Sequence, residues 1–240
     1  MAFKRFELAN QQPINIYKRR TNRSLRLSVT AAGEVRVTIP LWASYGVGLA
    51  FAQTRQAWIA AQIQPVVALA DGLHIGKAHR LRLYVVPSST KVRSRISGTE
   101  VLISYPPTLT ASSPAVQAAV SAASVRALRK QAESLLPQRL ATLAGQYGFN
   151  YNSVGIKRLK SRWGSCDQQR NIVLNLFLMQ LPWDCIDYVL LHELTHTTVL
   201  HHGPDFWTAM AIVLPDVARL RTAMRAYQPI LSALGDEVVA

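Results

Sequence analysis

The stretch DYVLLHELTHTTVLHHGPDFW, residues 187–207, decides how the rest of the chain is read, because it gathers four of the six histidines around a single glutamate. His192 and His196 lie four residues apart on a predicted helix, so both rings project from one face, one turn apart. Two imidazoles so placed can aim ring nitrogens at one ion, and zinc suits them by its borderline softness and tetrahedral preference. Glu193 follows His192 roughly 100° around the helix. From there a carboxylate reaches a water on the ion without displacing it, as a general base must.

Two imidazoles leave a zinc site short of its usual three protein ligands. His201 and His202 are the candidates for the third. Both rotate off the ligand face if the helix continues, so the chain has to turn. Gly203 reads as a left-handed helix end and Pro204 as the start of a new helix, which puts the bend beside His202 and favours it over His201. Asp205 reads as a first-turn residue of that new helix, favoured by its dipole. Phe206 and Trp207 read as its core anchors.

Working outward, the helix is expected from Pro182 through Leu200, preceded by strands at 154–159 and 171–179 that the loop KSRWGSCDQQR, 160–170, joins. Arg162, Asn175 and Tyr188 are candidates to stabilise an oxyanion. Cys166 reads as a small packed residue and Trp163 as a packed aromatic. Upstream, 114–147 is an Ala-rich helical stretch that Pro137 kinks or divides. Strands are expected at 79–86, 91–96 and 100–105. Positions 14–40 alternate with period two, most clearly in LRLSV and VRVTIP, as a β-hairpin with Arg19, Arg20, Arg23 and Arg26 exposed. A helix is expected from about Ser44 to Gln64, with Trp58 in its core face. His74 and His79 read as surface residues. PPTLTASSP, 106–114, is the best boundary, giving a β-rich basic region 1–107 and a metallohydrolase region 108–240 that could form one integrated domain.

Composition sets the partners. With 240 residues, 49% of them hydrophobic, the chain can bury a sizeable core. Its net charge of +14 is uneven: residues 1–100 carry 15 Lys+Arg against 4 Asp+Glu, residues 101–240 carry 12 against 9. The N-terminal half therefore attracts nucleic acid or another polyanion, or is simply a solvated surface. Two cysteines do not make a disulfide framework, and no apolar run has signal-peptide or membrane-spanning length. A cytoplasmic protein without membrane association is expected. Oligomeric state is not legible.

The segments SRWGSC (161–166), NIVLN (171–175), DYVLLHELTH (187–196) and HHGPDFW (201–207), in this order and spacing, resemble the YgjP-like metallopeptidases, bacterial and archaeal proteins of the zincin type related to the SprT-like and WLM groups. The likeness is strongest over about 150–215. It implies an α+β fold with a basic antiparallel β-rich N-terminal region and a zincin-like helical catalytic region with a small sheet. It also implies one Zn²⁺ per chain on His192, His196 and His202, Glu193 as base, and a peptide or protein substrate. His201 falls where the family often has asparagine. In such enzymes the strand beside the site pairs with an extended peptide, and NIVLNLFLM is expected to be that strand, at a sheet edge. Two alternatives stand beside peptide hydrolysis. One is a zinc hydrolase of a phosphorylated or nucleotide substrate held by the basic half, the other a nucleic-acid-binding module with a structural zinc.

Overall fold

The structure, a computed structural model, describes residues 3–29, 34–62 and 68–231, and is α+β with an N-terminal β region. The chain divides into two compact units, 1–67 and 68–240. In the first, strands β1 (Phe3–Glu7), β2 (Pro13–Arg19), β3 (Arg26–Val29) and β4 (Val35–Pro40) form a sheet ordered β1-β2-β4-β3. The expected hairpin is β3 against β4; its tip, 30–33, lies outside the described residues. β2 joins β4 in parallel and β1 from the other side antiparallel.

Period-two alternation puts Ile14, Ile16, Val35, Val37 and Ile39 on one face, all essentially without solvent contact. Each such side chain contributes about 1.5–3 kcal/mol of transfer free energy. Helix α1 (Tyr45–Gln53) covers that face, capped by the Ser44 hydroxyl, which accepts from the Val47 N–H.

The helix expected over 44–64 is interrupted. After Gln53 the Thr54 hydroxyl bonds back to the Phe51 carbonyl, and α2 (Gln56–Gln62) starts afresh. This break corrects the expectation for Trp58: Ile59 enters the core at 1% exposure, and Trp58 is 44% exposed. Pro65 lies outside the described residues. Arg19, Arg20, Arg23 and Arg26 are exposed, as the alternation predicts.

The second unit begins with strands β5 (His74–Ile75), β6 (His79–Val85), β7 (Arg93–Ser97) and β8 (Glu100–Tyr105), ordered β5-β6-β8-β7. Helix α3 (Pro114–Tyr147) crosses this sheet, and Leu81, Val101 and Ile103 share one core with Val120, Leu128 and Leu136. The boundary expected at 107/108 therefore falls inside this unit. Pro137 is carried within one continuous helix, whose core side holds Leu136 and Leu140.

His79 departs from the surface position expected of it. The turn between β5 and β6 tucks under α3 at Gly76 (φ +67), where a Cβ would stand 2.6 Å from both Leu128 and Gln131 side chains. His79 is thereby buried, its Nδ1 2.7 Å from the Gln131 amide nitrogen.

Beyond α3, strands β9 (Ser153–Lys157), β10 (Gly164–Cys166) and β11 (Asn171–Asn175) form a second sheet ordered β10-β11-β9. Two expectations change here. The loop 160–170 contains a strand, β10, and it is β10 that lies at the edge, with β11 in the middle. β11 also stops at Asn175, whose side chain caps a buried 3₁₀ turn, Leu176–Gln180, by accepting from the Phe177 N–H. Helices α4 (Trp183–Thr195), α5 (Pro204–Val213) and α6 (Val217–Ala223) complete the unit. Arg139 of α3 grips the Asp187 carboxylate of α4 with two guanidinium nitrogens, fixing the helix that bears the histidines. No described helix is long and apolar enough to cross a membrane.

Candidate metal centre

α4 buries Ile186, Leu190, Leu191 and Leu194 and turns Tyr188, Val189, His192 and Glu193 toward a cavity of about 620 Å³. It ends at Thr195, earlier than the expected Leu200, because the sequence T-H-T-T supplies its own stop. The hydroxyls of Thr197 and Thr198 bond to the carbonyls of Leu194 and Thr195, satisfying groups that a further turn would have used, and that of Thr195 bonds back to the Leu191 carbonyl in the last turn. His196 is the C-cap, and its Nδ1 stands 3.1 Å from the Val199 carbonyl. That carbonyl can only accept, so the proton sits on Nδ1 and the Nε2 lone pair is left free.

The chain then turns through 197–203 and re-enters a helix at Pro204. Gly203 is extended (φ −76, ψ −175), so the bend rests on the threonine-capped helix end rather than on a left-handed glycine. The turn delivers His202 to the other two histidines. Nε2–Nε2 separations are 3.2 Å for His192–His196, 3.1 Å for His196–His202 and 2.9 Å for His202–His192. His201 is exposed and stands outside this cluster, as does Asp205 in the first turn of α5.

Phe206, fully buried, lies under all three rings, with centroids 4.9, 4.5 and 4.8 Å from His192, His196 and His202. Trp207 flanks His192 and His202 and carries the Arg221 guanidinium 4.2 Å from its ring. Burial, then the neighbouring imidazoles and Arg221, lowers the His192 pKa to about 3, so its ring is neutral. Its Nδ1 is buried with no partner among the described residues.

Three imidazole lone pairs converging on one point repel unless a cation lies between them. Their spacing is close to the face of a tetrahedron with metal–nitrogen bonds of about 2.0–2.1 Å, whose edge is about 3.3 Å. The residues therefore fit a zinc-like ion.

Glu193 is 5% exposed and packs against β10. A Cβ on Gly164 would stand 2.6 Å from Glu193 Oε1 and 2.8 Å from its Cγ, so only glycine leaves room for this carboxylate. Burial raises its pKa to about 8, opposed by Arg162; a dication on the histidines would lower it again.

A model of the YgjP-like metallopeptidase domain matches residues 23–227. The chain belongs to the YgjP-like metallopeptidase family. It is a metallopeptidase-type hydrolase. No curated protein matches the chain. Among solved structures it is similar to the metallopeptidase zymogen of Pyrococcus abyssi abylysin, at 21% identity over 38% of this chain and 94% of that one, with a TM-score of 0.35.

Of the oxyanion candidates, Arg162 and Tyr188 line the cavity of this YgjP-like site, whereas Asn175 is fully buried and donates to the Leu159 and Arg162 carbonyls, which makes it a strut of the loop. Arg221, Met224 and Arg225 also line the cavity and were not legible in the sequence. Only the four-residue spacing of Arg221 and Arg225 gives a local signal for a shared face. Cys166 lines the cavity too, its thiol pushed up to about 11, chiefly by burial, and so protonated at neutral pH.

Proposed function

We propose that this chain is a zinc-dependent peptidase in which His192, His196 and His202 hold the ion and Glu193 is the general base. The convergence of the three Nε2 atoms beside one buried carboxylate carries this reading. When bound, zinc supplies Lewis acidity, which polarises a carbonyl and lowers the pKa of water from about 15.7 to about 7. Glu193, held by Gly164 and α4, takes a proton from water at its carboxylate and returns it to the leaving amine.

The substrate lies along β10. The Asn175 N–H donates to the Trp163 carbonyl and the Asp167 N–H to the Asn171 carbonyl, so alternate residues 163, 165 and 167 spend their backbone groups on β11. Gly164 and Cys166 then project theirs outward along the cavity. An extended peptide pairs with them irrespective of its side chains. Arg162, Arg221 and Arg225 at the rim, in no ion pair among the described residues, favour acidic groups on that peptide.

The structural-zinc alternative is weaker, since such sites are closed by four protein ligands and only three residues gather here among those described. Glu193→Gln decides the mechanism. It should keep one zinc per chain and the wild-type fold while peptide hydrolysis falls about 10²–10⁴-fold. Full activity in that variant removes Glu193 from the chemistry; wild-type hydrolysis of nucleotides but not peptides replaces the substrate.

A further inference from the structure

The first unit presents a surface that peptide hydrolysis does not use. α1 covers one face of the β1–β4 sheet, and the opposite face is open. Strand register lays its side chains out in rows. Phe3 lies opposite Tyr17, Tyr17 opposite Thr38, and Thr38 opposite Arg26; the next row runs Arg5, Asn15, Arg36, Ser28.

Phe3 and Tyr17 stack with centroids 5.2 Å apart and planes 25° apart, and Phe3 is 52% exposed. Beside them a polar cavity of about 350 Å³ is lined by Arg19, Asn22, Arg26 and Arg36 and by the hydroxyls of Ser28 and Thr38. Arg36 is paired with Glu34, but Arg5, Arg19 and Arg26 stand in no ion pair among the described residues. The amide nitrogen of Asn22 in this cavity is buried without an acceptor among the described residues. Glu7 shares the face with Arg5, and Glu34 accepts from Asn15 and Arg36, but cations predominate: residues 1–67 hold 9 Lys+Arg against 2 Asp+Glu.

Exposed Phe3 stacked on half-buried Tyr17, on an open sheet face next to a pocket of guanidiniums, hydroxyls and a spare amide donor, calls for a ligand with both flat faces and repeated anionic oxygens. Single-stranded nucleic acid has both, whereas a duplex keeps its base faces stacked and an acidic protein segment lacks them. We propose that the open face of the β1–β4 sheet binds single-stranded nucleic acid, with a base on the Phe3–Tyr17 stack and phosphates on Arg19 and Arg26. Phe3, Tyr17 and Arg19 precede the stretch that matches the family, whereas Arg26 and Arg36 lie within it.

The test uses the full chain and fluorescein-labelled dT12 and U12, titrated by anisotropy between 50 and 200 mM salt. Tyr17→Ala should weaken binding about tenfold, in the range found for losing one stacked base. Tyr17→Leu should weaken it too while keeping a bulky strand residue, which guards against a folding defect. Arg19→Ala with Arg26→Ala should reduce the slope of log K against log salt by about 1.4, two single-strand phosphate contacts. Three results overturn the proposal: no binding at 50 mM salt, Tyr17→Leu binding as tightly as wild type, or displacement by duplex DNA, heparin or polyglutamate as effective as by unlabelled dT12.

Discussion

Two of the sheet surfaces that the chain leaves exposed are open in opposite ways. At β10 it bares an edge: Gly164, Ser165 and Cys166 have small side chains, and Gly164 and Cys166 offer the backbone N–H and C=O that β11 does not take. In the β1–β4 sheet it bares a face carrying large side chains, the Phe3–Tyr17 stack and three arginines without ion-pair partners among the described residues. An edge of small residues reads a partner's backbone and tolerates any sequence; a face of aromatics and guanidiniums reads rings and charge. Residue size at each position thus separates the two kinds of recognition.

The sharpest way to break this comparison is His192→Ala. With one of three converging nitrogens gone, zinc content should drop from one per chain to near zero and peptide hydrolysis by at least about 10⁴-fold, toward the uncatalysed background. His202→Ala should weaken zinc at least about 100-fold, measured by competition with a chromogenic chelator. Binding of dT12 should stay within about twofold in both; its loss would mean that the edge and the face are one site.

Gly164→Ala probes the edge more gently. The added methyl would lie 2.6 Å from Glu193 Oε1, and the strand cannot retreat while Trp163 and Asn175 are bonded. The carboxylate must move instead, and a displacement near 1 Å costs about 10²-fold when it misaligns a reacting group. Peptide kcat should fall about 10- to 100-fold at unchanged zinc content. Wild-type kcat would mean that Glu193 acts from another position.

What the sequence disclosed and what it withheld follow from range. Helical spacing is local, so the His192–His196 pair and the position of Glu193 could be read directly from H-E-L-T-H. The end of α4 is local too, but it was placed too far along because the apolar Val199 and Leu200 outweighed the capping hydroxyls of Thr197 and Thr198. Gly164 could be read only as a turn, since its constraint is a carboxylate 29 positions away. β10 was hidden for the same reason: three residues carry no period, and its strand character comes from pairing with β11. Trp58 and His79 failed in opposite directions, one outside and one inside, because a helix break and a tight turn reset which side of the chain faces the core.

The smallest effect is expected next door to one of the largest. His201 and His202 are adjacent, yet only His202 has its Nε2 among the other two, at 2.9 and 3.1 Å. The contribution of His201 to the turn is its carbonyl, which accepts from the Gly203 N–H at 2.8 Å, and any residue supplies that. Its ring is exposed, so removing it alters neither packing nor ligation. His201→Ala should therefore keep zinc content at one per chain, kcat/KM within about twofold and stability within about 0.5 kcal/mol. If instead His201→Ala releases zinc and His202→Ala does not, the turn over 197–203 runs one residue out of phase, and the third ligand has to be reassigned.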